Sequence, residues 1–181
     1  AGRDCLPRSR RQAYMGRRGE NTRPVQRRFN LRKSREKLEG LLTANFQDGA
    51  QLVTLTYGPE TRAPSVKLAE LQLLNWLRNV QRMRGHKITY IRATEWAADG
   101  HGYHVHRVVL RRSEGPVSAL VPLWVYGPVT IQEVQKNDLE SMAGLIMAQA
   151  MKAERVPIPA RRVWSPSEGL IRPGQEREGI T

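Results

Sequence analysis

HGYHVHRVVL, residues 101–110, reads as a β-strand, because Val105, Val108, Val109 and Leu110 are apolar and mostly β-branched. Successive side chains of a strand point to opposite faces, so His104 and His106 are expected to project from one surface. Two imidazoles held in this way on a rigid element can supply two nitrogen ligands to a divalent metal. The preceding apolar run KITYIRATEW, residues 87–96, is expected to form the neighbouring strand, and antiparallel pairing would let Glu95 supply an oxygen ligand. Asp99 is a second candidate for that oxygen. The alternative is a pair of histidines on a half-exposed strand with no metal.

Working outward, the pattern alternates between helix and strand. Asn30 is a candidate cap for a helix whose apolar face is Leu31, Leu38, Leu41 and Leu42, ending before the turn at Asp48-Gly49. QLVTLTYG, residues 51–58, reads as a buried strand. After Pro64-Ser65, the residues Val66, Ala69, Leu73, Trp76, Leu77, Val80 and Met83 recur at helical spacing, and Arg84-Gly85-His86 closes that helix. Beyond the histidine strand, SALVPLW predicts a short helix, PVTIQEV a strand, and Leu139 to about Ala153 a helix with a methionine-rich core stripe. RRVWSPSEGL, residues 161–170, predicts a short edge strand. The order predicts an α+β fold: one antiparallel sheet with helices packed on one face.

The chain has 181 residues, which suits one domain with a core large enough to fold without staples. Cys5 is the single cysteine, so an internal disulfide framework and a cysteine-rich zinc site are excluded; a reducing, cytoplasmic compartment is expected. No apolar run approaches the length of a membrane span, and a membrane partner is not expected.

Charge points to the partner. Thirty Lys and Arg oppose 17 Asp and Glu, a net charge of +13, which favours a polyanion, with nucleic acid first. Residues 1–28 carry nine arginines and two acids and too few apolar groups to order themselves in isolation, so they read as an extended basic arm. Arg10, Arg11, Arg17, Arg18, Arg27 and Arg28 are its candidate phosphate contacts, and Lys152, Arg161 and Arg162 are candidates on the body. Trp96, Trp124 and Trp164 are candidates for stacking on bases or for the core. Residues 29–173 are read as the folded domain and 174–181 as a tail.

TLTYG (54–58), RATE (92–95) followed by GYHVH (102–106), and RRVWSPSEGL, in that order, resemble the HUH-type rolling-circle replication initiators of plasmids and filamentous phages. The resemblance runs from about Phe29 to Pro173. LTANFQDGAQLVTLTYGPE, residues 42–60, is most similar to the Gram-positive plasmid-type members. It implies that His104, His106 and a third polar ligand, Glu95, hold Mg or Mn and polarise a phosphate of single-stranded or hairpin DNA. It also implies nicking and joining through a tyrosine on the last long helix. The chain departs from that pattern. AGLIMAQAMK, residues 143–152, puts Leu145 where the family has its tyrosine and Ala148 where it has its lysine. Leucine has no atom that can attack phosphorus. No tyrosine occurs from Gly127 to Thr181. Tyr57 and Tyr126 are the alternatives nearest the expected site, and Tyr14 lies on the arm.

Two functions therefore compete. One is a metal-dependent enzyme that nicks and joins DNA. The other is a DNA-binding or RNA-binding module that keeps the fold without strand cleavage. The sequence leaves the oligomeric state open.

Overall fold

A computed structural model describes residues 24–95, 105–112, 117–152 and 162–174. The elements in chain order are α1 (Pro24–Asn45), β1 (Ala50–Leu55), α2 (Val66–Arg84), β2 (Tyr90–Glu95) and β3 (Val105–Arg111). They are followed by a 3-10 helix (Val117–Leu123), β4 (Val129–Val134), a 3-10 turn (Lys136–Asp138), α3 (Leu139–Lys152) and β5 (Trp164–Pro166).

The five strands form one antiparallel sheet in the order β4-β1-β3-β2-β5. The first four strands and α2 follow the split β-α-β arrangement, and β5 extends the sheet beyond β2. Local chemistry explains the clean ends of α2. The Ser65 hydroxyl accepts from the Leu68 amide, and Gly85 closes the helix in the left-handed region, where its amide donates to Gln81 and Arg82 carbonyls.

Alternation along each strand sorts the apolar side chains into two cores. Ala50, Leu52, Ile91, Ala93 and Val109 meet α1 and α3 on one face of the sheet. Val53, Leu55, Val108 and Leu110 meet α2 and the 3-10 helix on the other. The expectation of helices on a single face is therefore corrected: the sheet is covered on both sides. The reason is that β1 and β3 are apolar at consecutive positions, as in Leu52-Val53 and Val108-Val109-Leu110. Such runs belong to strands buried on both faces.

The second correction concerns α1, which starts at Pro24 rather than Asn30 and takes in the last residues assigned to the arm. Proline suits the first turn of a helix, where its missing amide has no partner to lose. The extra turns are held by Arg27, which donates to the Ala150 carbonyl (3.2 Å) near the end of α3. A guanidinium there is favoured by the helix dipole as well as by the hydrogen bond.

The C-terminal segment returns to α1. Asn45, buried at the end of the helix, donates to the Ile171 carbonyl and accepts from the Ile171 amide, both at 2.7 Å. No helix among the described residues is long and apolar enough to cross a membrane.

Candidate functional site

His106 lies on β3 opposite Thr94 of β2, and Glu95 lies opposite Val105. Directly paired residues share a face, so His106 and Thr94 point toward α2 while Glu95 and Val105 point toward α1 and α3. The two strands pair antiparallel as expected, but the register puts the carboxylate on the wrong side of the sheet. Glu95 instead forms an ion pair with Arg107 on its own face, with Oε1 2.6 Å from the guanidinium and both side chains largely shielded.

The ring of His106 is fully buried. Its Nε2 is 2.8 Å from the Tyr57 hydroxyl and its Nδ1 is 2.8 Å from the Thr94 hydroxyl. Tyr57 donates onward to Gln72 Oε1 at 2.9 Å. A phenol has one proton, and it goes to Gln72, so His106 Nε2 is the donor to Tyr57. Thr94, His106, Tyr57 and Gln72 thus form one continuous hydrogen-bonded chain that engages both nitrogens of the imidazole. Trp124 closes over it: its ring centroid is 5.7 Å from that of His106 and 5.3 Å from that of Tyr57, both edge to face.

This environment does not fit a Mg or Mn ion held by His106 and Glu95. A metal ligand needs a free lone pair. In His106 both ring nitrogens are already engaged by buried hydroxyl partners. Glu95 is separated from it by the thickness of the sheet. Among the described residues no three His, Cys, Asp or Glu side chains come together as a ligand set. His104, His101, Asp99, Trp96 and Tyr103 lie outside the described residues.

The candidate nucleophile positions are also on the far side. Leu145 is 41% exposed on α3, with Ala148 half-buried one turn on, and α3 packs on the sheet face opposite His106. Tyr57 is beside His106, yet it is poorly suited to attack. Its pKa is pushed far above the ordinary value, mainly by burial and then by Tyr126 nearby. An attacking tyrosine needs its phenolate favoured, and burial does the opposite.

The sign of that shift gives a test. A phenol whose pKa is raised by folding contributes its full stability below the unfolded value of about 10 and loses it as pH rises further. Wild-type protein is expected to lose more unfolding free energy above pH 10 than Tyr57→Phe. Parallel alkaline limbs in urea titrations of the two proteins would contradict the assignment.

The tryptophans serve the core. Trp124 donates to the Thr56 carbonyl at 2.7 Å and Trp164 to the Ser34 hydroxyl at 3.0 Å, and both rings are buried.

Of the basic candidates, Arg27 is committed to α3, whereas Arg28, Lys152 and Arg162 are exposed. Arg10, Arg11, Arg17, Arg18 and Arg161 lie outside the described residues. On the outward face of α1, Arg28 stands in solvent together with Phe29, Arg32 and Lys33, three residues that were not among the candidates. Phe29 is 50% exposed, and Lys33 Nζ lies 5.9 Å from its ring centroid. The signal was present as arginines and lysines recurring at helical spacing across residues 27–37.

No protein-family model, curated protein or solved structure matches this chain.

Proposed function

We propose that this protein is a nucleic-acid-binding module that takes single-stranded or hairpin DNA on its basic surface without cleaving it. The observation that carries the reading is the outward face of α1. Four neighbouring side chains there, three cationic and one aromatic, are exposed on a helix that continues from the arginine-rich N-terminal residues, and the exposed Lys33–Glu36 pair (2.8 Å) is weak enough for a phosphate to replace the carboxylate. Cations along a helix neutralise successive phosphates, and an exposed ring accepts a base without sequence preference. The net charge of +13 supplies the long-range attraction that brings a polyanion to such a face. The family resemblance favours DNA, while Leu145 on α3 and the closed hydrogen-bond chain at His106 favour binding over covalent nicking.

Binding of labelled single-stranded DNA, followed by anisotropy, is expected to weaken steeply as salt is raised. Replacing Arg28, Arg32 and Lys33 together by Ala should lower the slope of log K against log salt by about two, since each phosphate contact to a single strand contributes about 0.7. An unchanged slope would remove α1 from the interface. Incubation with Mn and analysis on a denaturing gel should leave the DNA intact. A covalent protein–DNA adduct would restore the nicking enzyme, and tighter binding of an RNA strand of the same length would make RNA the partner.

A further inference from the structure

We propose that the cleft between the end of α1, the end of β3 and the C-terminal segment is a phosphate-binding subsite for one nucleotide, held by Arg111, Arg112 and Arg172. This rests on the nucleic-acid reading above and adds a second point of attachment to it. The cleft has a volume of about 610 Å³, which is in the range for a nucleotide-sized ligand. Three arginines line it against one acid, Asp48.

The cleft is built by contacts that order its walls. Arg111 donates through Nε to the Asn45 carbonyl at 3.0 Å, which fixes the guanidinium at the end of α1. Its two terminal nitrogens make no other hydrogen bond among the described residues and remain as a fork of donors. Asn45 also ties Ile171 to the same helix end, and this sets Arg172 at the opposite wall. Gly40 of α1 lets the next residue lie close, since a Cβ there would sit 2.7 Å from the Pro173 ring. Arg112 is loosely opposed by Glu133 at 3.8 Å, with both side chains more than half exposed, so an incoming anion displaces little.

The chemistry of the lining selects the ligand class. Guanidinium forks match the geometry of phosphate oxygens and bind them through paired hydrogen bonds. The aromatic residue in the lining, Phe46, is buried and offers no face for stacking. The cleft therefore reads the backbone and not the base. Either a nucleotide within a strand or a free mononucleotide presents that phosphate.

The test uses the full chain and the double variant Arg112→Gln with Arg172→Gln, with labelled oligo-dT of twelve nucleotides as one probe and AMP and inorganic phosphate as the others. The expected result is about tenfold weaker oligo-dT binding with the salt slope lower by about 1.4, measured on variant protein shown to be folded by circular dichroism. If the wild type binds oligo-dT and the variant binds it equally well, the cleft is overturned while the nucleic-acid reading stands. If the wild type fails to bind oligo-dT or RNA, the nucleic-acid reading falls. Calorimetry with AMP and phosphate then decides the cleft: binding that the variant loses makes it a free-nucleotide site, and no binding overturns it. Should the double variant misfold, Arg172→Gln alone, at the exposed wall, carries the same comparison with half the change in slope.

Discussion

His106→Ala is expected to lower the unfolding free energy by about 3 kcal/mol, and to do so without altering the protein's affinity for Mn. The loss has two sources. Truncation empties a space enclosed by Tyr57 and Trp124, and a fully buried site cannot relax enough to refill it. It also removes the partner of two hydroxyls. Tyr57 keeps Gln72 as an acceptor, but the half-buried Thr94 hydroxyl loses its His106 partner. Urea denaturation measures the first expectation and calorimetry with Mn the second. A variant that keeps its stability and loses Mn binding would return the histidines to the metal role implied by the resemblance.

The second large effect is expected at Gly127. This residue passes so close to the end of β1 that a Cβ would collide with the Thr56 carbonyl oxygen and lie 2.7 Å from the Gly58 nitrogen and 2.8 Å from the Tyr57 carbonyl carbon. All three are backbone atoms in an ordered stretch. Thr56 and Gly58 donate their amides to the Pro128 and Tyr126 carbonyls, so neither strand can move aside without breaking the ladder. Gly127→Ala should cost about 2 kcal/mol and disturb the Trp124 and Tyr126 rings, whose centroids are 4.9 Å apart. Gly144 provides the control. In the middle of α3 its nearest neighbour would be the terminal nitrogen of Arg35 at 3.4 Å, the mobile end of a long side chain. Gly144→Ala is therefore expected to be neutral or stabilising, because alanine is the better helix former. Thermal melts of the two variants compare them directly. Equal stabilities would mean that the approach of residue 127 to β1 is not as tight as described.

These two sites share a cause. The end of β1, the start of β4 and the start of β3 converge on one aromatic corner, formed by Tyr57, Trp124, Tyr126 and His106. Trp124 donates to the Thr56 carbonyl, the same oxygen that Gly127 approaches. A polar chain enclosed in this way fixes the pairing of three strands, because a one-residue slip of β3 would turn His106 to the α1 side and leave Tyr57 and Thr94 without it.

The element order was legible in the sequence because each signal for it is local. Ser65 and Gly85 bracket α2, the stripe from Leu139 to Met147 marks α3, and β5 (Trp164–Pro166) falls within the stretch expected to hold a short edge strand. The basic balance was legible too, since it needs only counting. The start of α1 was not legible: its first turns present a mostly polar face, and their anchor is Arg27 reaching residue 150. Nor was the fate of the histidine strand. Alternation states which residues share a face but not which layer covers that face, nor which residue of the next strand stands opposite. Register and layer are set by packing between segments far apart in sequence. That packing placed Thr94 opposite His106, turned Glu95 toward α1 and α3, and brought Arg111, Arg112 and Arg172 to one cleft.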